Sequence, residues 1–93
     1  MSARKPLMAG NWKLYKTPAD TAEFFQKFLP LVEKSSHCDV LICPPFVNIA
    51  TAVGAVQGSA VAIGGQNLYW ENEGAFTGEV SGPMLKAAGC SFL

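Results

Sequence analysis

The sequence predicts an α/β chain: a parallel sheet of three β/α units, followed by the start of a fourth strand. Three observations carry this. Apolar runs ending near Trp12, Cys43 and Asn67 recur at intervals of 31 and 24 residues, about what a strand, a crossover helix and a return to the sheet require. Val40-Leu41-Ile42-Cys43 is continuously apolar, the pattern of a strand covered on both faces rather than one. Between the first two strand ends, Ala22, Phe24, Phe25, Phe28, Leu29 and Val32 fall on one helical stripe, opposite Glu23, Gln26, Lys27, Pro30 and Lys34, as expected for a helix covering a sheet.

The first strand is expected from Pro6 to Lys13. Alternation puts Leu7, Ala9, Asn11 and Lys13 on one face and Met8, Gly10 and Trp12 on the other. One face therefore ends in chemistry: Lys13 can aim a positive charge at an anion such as a phosphate, and Asn11 adds a donor and an acceptor. A lone lysine after a strand is more often simply solvated, and the residues alone leave both readings open. Thr17-Pro18-Ala19-Asp20 reads as a helix start, with Thr17 as N-cap, Pro18 first in the helix and Asp20 favoured by the dipole. Pro30 should kink or end that helix. His37, the sole histidine, lies in a polar loop with Ser35, Ser36 and Asp39 and is expected to be exposed and inert.

Pro44-Pro45 stops the second strand. A nearly uncharged helix should follow from about Val47 to Val56, with Gly58 ending it. The third strand is expected over Ala60–Asn67, its glycines permitting close backbone approach. Leu68 to Val80 has neither helical nor strand period and exceeds ~12 residues, a length that suggests contact or function rather than simple connection. Ser81 then caps a short helix with Pro83 in its first turn and Gly89 as its stop, and Cys90–Leu93 begins a fourth strand.

Composition narrows the function classes. Hydrophobic residues make up 49% of the 93 and charged residues 15%, with seven basic and seven acidic side chains giving zero formal net charge. No basic cluster exceeds Arg4-Lys5, so a nucleic acid partner is not expected. Cys38, Cys43 and Cys90 lack the paired spacings of a zinc site and suit structural free thiols in a reducing compartment. No metal or cofactor is expected. No apolar run approaches the ~20 residues of a membrane span, and the expected location is the cytoplasm.

Gly10-Asn11-Trp12-Lys13, Cys43-Pro44-Pro45, Gly65-Gln66-Asn67 and Gly74-Ala75-Phe76-Thr77-Gly78-Glu79-Val80-Ser81 together resemble, in order and spacing, the N-terminal part of the triosephosphate isomerase family. The resemblance runs from about Lys5 to Leu93. It departs at Leu14-Tyr15, where many members have Met-Asn. It implies a partial (β/α)8 barrel, with residues 1–93 forming one incomplete domain, because such barrels take ~250 residues. The family's Gly-His-Ser-Glu-Arg-Arg segment would fall beyond Leu93.

The resemblance implies an enzyme of glycolysis and gluconeogenesis that interconverts dihydroxyacetone phosphate and D-glyceraldehyde 3-phosphate through an enediolate. It implies that Asn11 and Lys13 bind substrate, Lys13 being the part of the catalytic site present. The family's histidine electrophile, glutamate base, mobile lid and later phosphate-binding loops fall beyond Leu93, so this chain alone is expected to be catalytically incomplete. His37 and Glu79 are not expected to substitute, and Glu79 in the family reaches an arginine just past Leu93. The long loop inserts into a neighbouring subunit in family dimers, which makes Phe76, Thr77 and Gly78 expected interface residues; a flexible surface loop is the plainer alternative. Open sheet edges make self-association expected. A self-associating module without enzymatic activity is the alternative to an enzyme segment.

Overall fold

The computed structural model of the chain describes residues 4–93. Three strands, β1 (Leu7–Asn11), β2 (Asp39–Cys43) and β3 (Ala62–Ile63), form a parallel sheet in the order β1-β2-β3. Met8 lies opposite Val40 and Gly10 opposite Ile42, while Ile42 pairs in turn with Ile63. Residues level across parallel strands share a face. One face therefore carries Met8, Gly10, Val40, Ile42 and Ile63, and the other carries Leu7, Ala9, Asn11, Leu41, Cys43 and Ala62. The expected alternation holds through the strand.

The core lies on the first face, beneath helices α1 (Pro18–Val32), α2 (Ile49–Ala55) and α3 (Gly82–Ala88). It gathers Trp12, Phe25, Ile42, Ile49, Ala52, Val56, Val61, Ile63, Leu85 and Cys90. Aromatic rings join strand end to helix: Trp12 meets Phe24 edge-on at 5.0 Å between centroids, and Phe24 stacks on Phe28 at 4.9 Å. β1 is exposed on both faces, with Leu7, Ala9 and Asn11 on the opposite face and Met8 on the first, while Leu41 of β2 is buried on the opposite face. No helix among the described residues is long and apolar enough to cross a membrane.

The start of α1 is as expected. Asp20 N–H donates to Thr17 Oγ1 at 3.2 Å and Thr17 N–H donates back to Asp20 Oδ2 at 3.0 Å, a reciprocal capping box. The stripe itself needs correction. Ala22 is exposed, while Thr21 is completely buried and donates its hydroxyl to the Thr17 carbonyl at 2.8 Å. That bond satisfies the one polar atom that otherwise keeps threonine out of a core. Nor does Pro30 end the helix, which runs on to Val32.

Two other expectations shift. The second helix begins as a 3-10 turn over Phe46–Asn48 and becomes α-helical only at Ile49. Regular pairing in the third strand covers Ala62–Ile63 alone, extended by a bridge from Gly64 to Phe92. A β-carbon on Gly64 would sit 3.0 Å from the Phe92 carbonyl oxygen, so the close approach of these segments favours glycine. The bridge, with Ser91 N–H donating to Ile63 O at 2.9 Å, starts the fourth strand as expected.

α3 follows its sequence signals closely. Ser81 accepts from Met84 N–H, and Gly89 closes the helix at φ +110°, where its N–H reaches the Leu85 and Lys86 carbonyls. Between Tyr69 and Ser81 the long loop leaves the body of the chain, with residues 70–79 all exposed. It is nonetheless ordered by its own side chains: Tyr69 and Phe76 rings lie 4.6 Å apart, and Tyr69 N–H donates to Val80 O at 2.7 Å.

Candidate functional site

The site starts where β1 stops. Asn11 is the last strand residue and is exposed on the open face. Trp12 N–H still donates to Cys43 O at 3.1 Å, so Trp12 turns into the core while remaining tied to β2. Lys13 then adopts φ +55°. The extended reading through Lys13 is therefore corrected: Lys13 does not continue the alternation below Asn11 but sits in a left-handed turn. Asn11 makes that turn, its Oδ1 accepting from Lys13 N–H at 2.9 Å, a local side-chain substitute for a backbone turn bond.

A left-handed backbone is unfavourable for a residue with a β-carbon and persists where surrounding structure holds it. Gln66 supplies one such hold. Its Nε2 donates to Lys13 O at 3.0 Å and to Cys43 O at 2.8 Å. A single amide thus joins the C-terminal ends of the first two strands from a position just past the third. The role of Gln66 was not assigned from sequence. Its signals there are its place in the Gly65-Gln66-Asn67 motif and a long polar side chain directly after a glycine pair.

Lys16, also left-handed at φ +78°, places its ammonium 5.3 Å from the Trp12 ring and 5.4 Å from the Phe24 ring, within cation–π range. Its side chain is thereby steered onto the aromatic cluster while Lys13 is left exposed. The departure at Leu14-Tyr15 proves to be solvent-facing, with Leu14 94% and Tyr15 71% exposed.

The other candidates lie elsewhere. Phe76, Thr77 and Gly78 are at the exposed tip of the long loop, Gly78 at φ +89°, where glycine is favoured. His37 is exposed before β2, at the opposite end of the sheet, with Nδ1 3.3 Å from Ser35 Oγ. Glu79 is exposed in the long loop. All three cysteines are free thiols. Burial pushes the Cys43 thiol up in pKa, and burial followed by the neighbouring Cys43 does the same for Cys90, which disfavours the reactive thiolate at both. Among the described residues no three metal-capable side chains cluster. A cavity of about 310 Å³ lined by Lys5, Glu33, Cys38 and Asp39 lies at the N-terminal ends of the strands, away from Asn11 and Lys13.

Consecutive strand–helix units in one parallel sheet, with polar side chains collected at the strands' C-terminal ends, define a portion of a β/α-barrel protein. The chain belongs to the triosephosphate isomerase family, whose model matches residues 6–93. A triosephosphate isomerase of Solibacter usitatus is 68% identical over 88 residues, covering 95% of this chain and 35% of the relative. One from Nostoc punctiforme is 46% identical over 91 residues, covering 97% and 37%. The crystal structure of triosephosphate isomerase from Bartonella henselae superposes with a TM-score of 0.86 at 31% identity, over 95% of this chain and 36% of that one. The chain thus spans about a third of the length of the relatives it matches, their N-terminal part.

Proposed function

We propose that residues 1–93 supply the first three β/α units of one triosephosphate isomerase barrel domain, and that Asn11 and Lys13 are its contribution to the substrate site. The observation that carries this reading is the Lys13 turn: Gln66 and Asn11 hold an exposed ammonium-bearing residue in an unfavourable backbone state at the C-terminal ends of the strands. A solvated surface lysine needs no such holding. In the interconversion of dihydroxyacetone phosphate and D-glyceraldehyde 3-phosphate, Lys13 would offset the charge of the phosphate and of the developing enediolate, and Asn11 would hold the turn that presents it.

Moving a proton between adjacent carbons requires an acid and a base within hydrogen-bond reach. His37 is at the wrong end of the sheet and Glu79 is on the long loop, so neither serves. On this reading the proton-transfer groups come from the remainder of the barrel, and the chain alone holds an anion without isomerising it. Phe76, Thr77 and Gly78 would face a second copy, consistent with the exposed loop tip that carries them. Three free thiols accord with a cytoplasmic enzyme of glycolysis and gluconeogenesis.

The test is a coupled isomerase assay on the purified chain, with and without a segment supplying the rest of a family barrel. Activity is expected only in the mixture, falling at least about 100-fold with Lys13→Ala, as for loss of a group that stabilises transition-state charge. Full activity of the Lys13→Ala mixture would overturn the assignment of Lys13. Activity in the chain alone, with contaminating enzyme excluded, would overturn the division of labour.

A further inference from the structure

Loop one, residues 12–17, is held at a second point by a side chain remote from the anion-facing surface. Asn48, in the 3-10 turn after β2, is completely buried. It stands at the N-cap of α2, where an asparagine ordinarily turns its oxygen onto its own helix, yet it makes no side-chain cap bond. Instead its Nδ2 donates to the Lys16 carbonyl at 2.8 Å, across 32 residues of sequence. Only the amide nitrogen can donate to a carbonyl, so this bond fixes which way the amide points. Oδ1 is left buried with no hydrogen-bond partner among the described residues. Such an orphan is unfavourable, and the compensating feature at this position is the bond on the other side of the amide.

That bond falls on one of the two non-glycine residues in the left-handed region among the described residues, Lys13 at φ +55° and Lys16 at φ +78°. The Lys13 carbonyl is tied by Gln66 and the Lys16 carbonyl by Asn48. Freed of its tie, either residue would relax toward the ordinary negative-φ regions. With only two residues between them, relaxation at Lys16 would redirect the chain leaving Lys13. We propose that Asn48 is a positioning residue for the Lys13 anion site, acting through the Lys16 carbonyl to keep loop one in the conformation from which Lys13 meets a phosphate-bearing substrate. This rests on Lys13 being the phosphate contact proposed above.

Solution NMR on the labelled 93-residue chain tests it. In the wild type, Asn48 side-chain amide protons exchange slowly and show coupling through the hydrogen bond to the Lys16 carbonyl. Asn48→Leu keeps the branching at Cγ and the number of side-chain heavy atoms and removes the bond. The Lys16 Cα shift then leaves its left-handed value, the Lys13 amide resonance moves with it, and the affinity for inorganic phosphate falls at least threefold. Adding Lys16→Gly to Asn48→Leu moves the Lys13 resonance and the phosphate affinity back toward the wild type, because glycine adopts a positive φ without the steric penalty that the tether offsets. Loss of packing around Asn48 could not be repaired by trimming an exposed lysine. Unchanged Lys13 resonances in Asn48→Leu, or no recovery in the double variant, overturn the proposal. Should Asn48→Leu not fold, the wild type still decides: fast exchange of the Asn48 amide protons overturns the clamp, and the through-bond coupling supports it. If phosphate moves no wild-type resonance, the anion reading of Lys13 fails separately, and the Lys13 and Lys16 shifts alone decide whether Asn48 positions the loop.

Discussion

Loop one and the long loop both leave the C-terminal end of a strand, yet they are held in opposite ways. Loop one is tied by residues distant in sequence, Gln66 to the Lys13 carbonyl and Asn48 to the Lys16 carbonyl, and packs Trp12 into the aromatic cluster on α1. The long loop is tied by its own neighbours, Tyr69 against Phe76 and Tyr69 N–H to Val80 O, with residues 70–79 exposed throughout. The contrast is between a loop whose ties exist only when the sheet and helices are assembled and a projection that carries its own ties with it. Damage to the core should therefore dislodge Lys13, whereas damage to the long loop should leave the core standing.

The largest expected effect comes from the core beneath loop one. Phe25 is 1% exposed and touches the rings of Trp12, Phe24 and Phe28. Phe25→Ala should lower stability by about 3–5 kcal/mol, as large-to-small changes in packed cores do. That is a large share of the ~5–15 kcal/mol of a typical domain. Urea unfolding monitored by tryptophan fluorescence reads it; a loss under about 1 kcal/mol would mean that this cluster is not the support of loop one.

Next is Gly89, where two penalties coincide. Its φ of +110° is outside the range favoured by L side chains, and an added β-carbon would lie 2.6 Å from Val53 Cγ1. Gly89→Ala should cost about 1–3 kcal/mol in the same unfolding experiment. It sharpens the comparison because α3 connects the long loop to the core: the loss should appear in the global transition, not as a separate local one.

A smaller effect belongs to the start of α1, directly after loop one. Thr17→Ala removes one half of the capping box and should cost about 1 kcal/mol. Asp20 forms the other half. The hydrogen bond from Thr17 N–H, then that with the Thr17 hydroxyl, holds its carboxyl below the usual pKa. A carboxylate with a depressed folded-state pKa stabilises above its unfolded value, and that contribution is lost as pH falls through the folded one. Wild-type stability should therefore decline as pH falls below about 4, and Asp20→Asn should flatten that part of the profile. Identical profiles in the two proteins would break the assignment.

What could be read from the sequence follows the same division between local and distant holding. The caps at Thr17 and Ser81, the stop at Gly89 and the apolar strand Val40–Cys43, buried at Leu41 and Ile42, depend on residues a few positions apart, and they were legible. So were Asn11 and Lys13 as polar residues at a strand end. The left-handed state of Lys13 was not, because part of its hold comes from Gln66, 53 residues away. Asn48 was hidden for a similar reason: its N-cap position suggests local capping, while the bond it makes is non-local. Thr21 replaced Ala22 in the buried stripe because an i−4 backbone acceptor absorbed its hydroxyl, which a hydropathy projection does not count.

The smallest expected effect is the one most able to break the comparison. Thr77→Ala alters an exposed residue at the tip of the long loop, and surface changes of this kind usually stay within about 0.5 kcal/mol. If the loop is held by Tyr69, Phe76 and Val80, the unfolding midpoint should not move, and neither should the Lys13 backbone resonances in a dilute sample. Association is a different matter. If Thr77 meets a second copy, sedimentation velocity over a concentration series should show weaker self-association in the variant at unchanged stability. A stability loss above about 1 kcal/mol would instead make the tip part of the cooperative core, while unchanged stability and association together would reduce Thr77 to a surface residue and leave the interface reading without support.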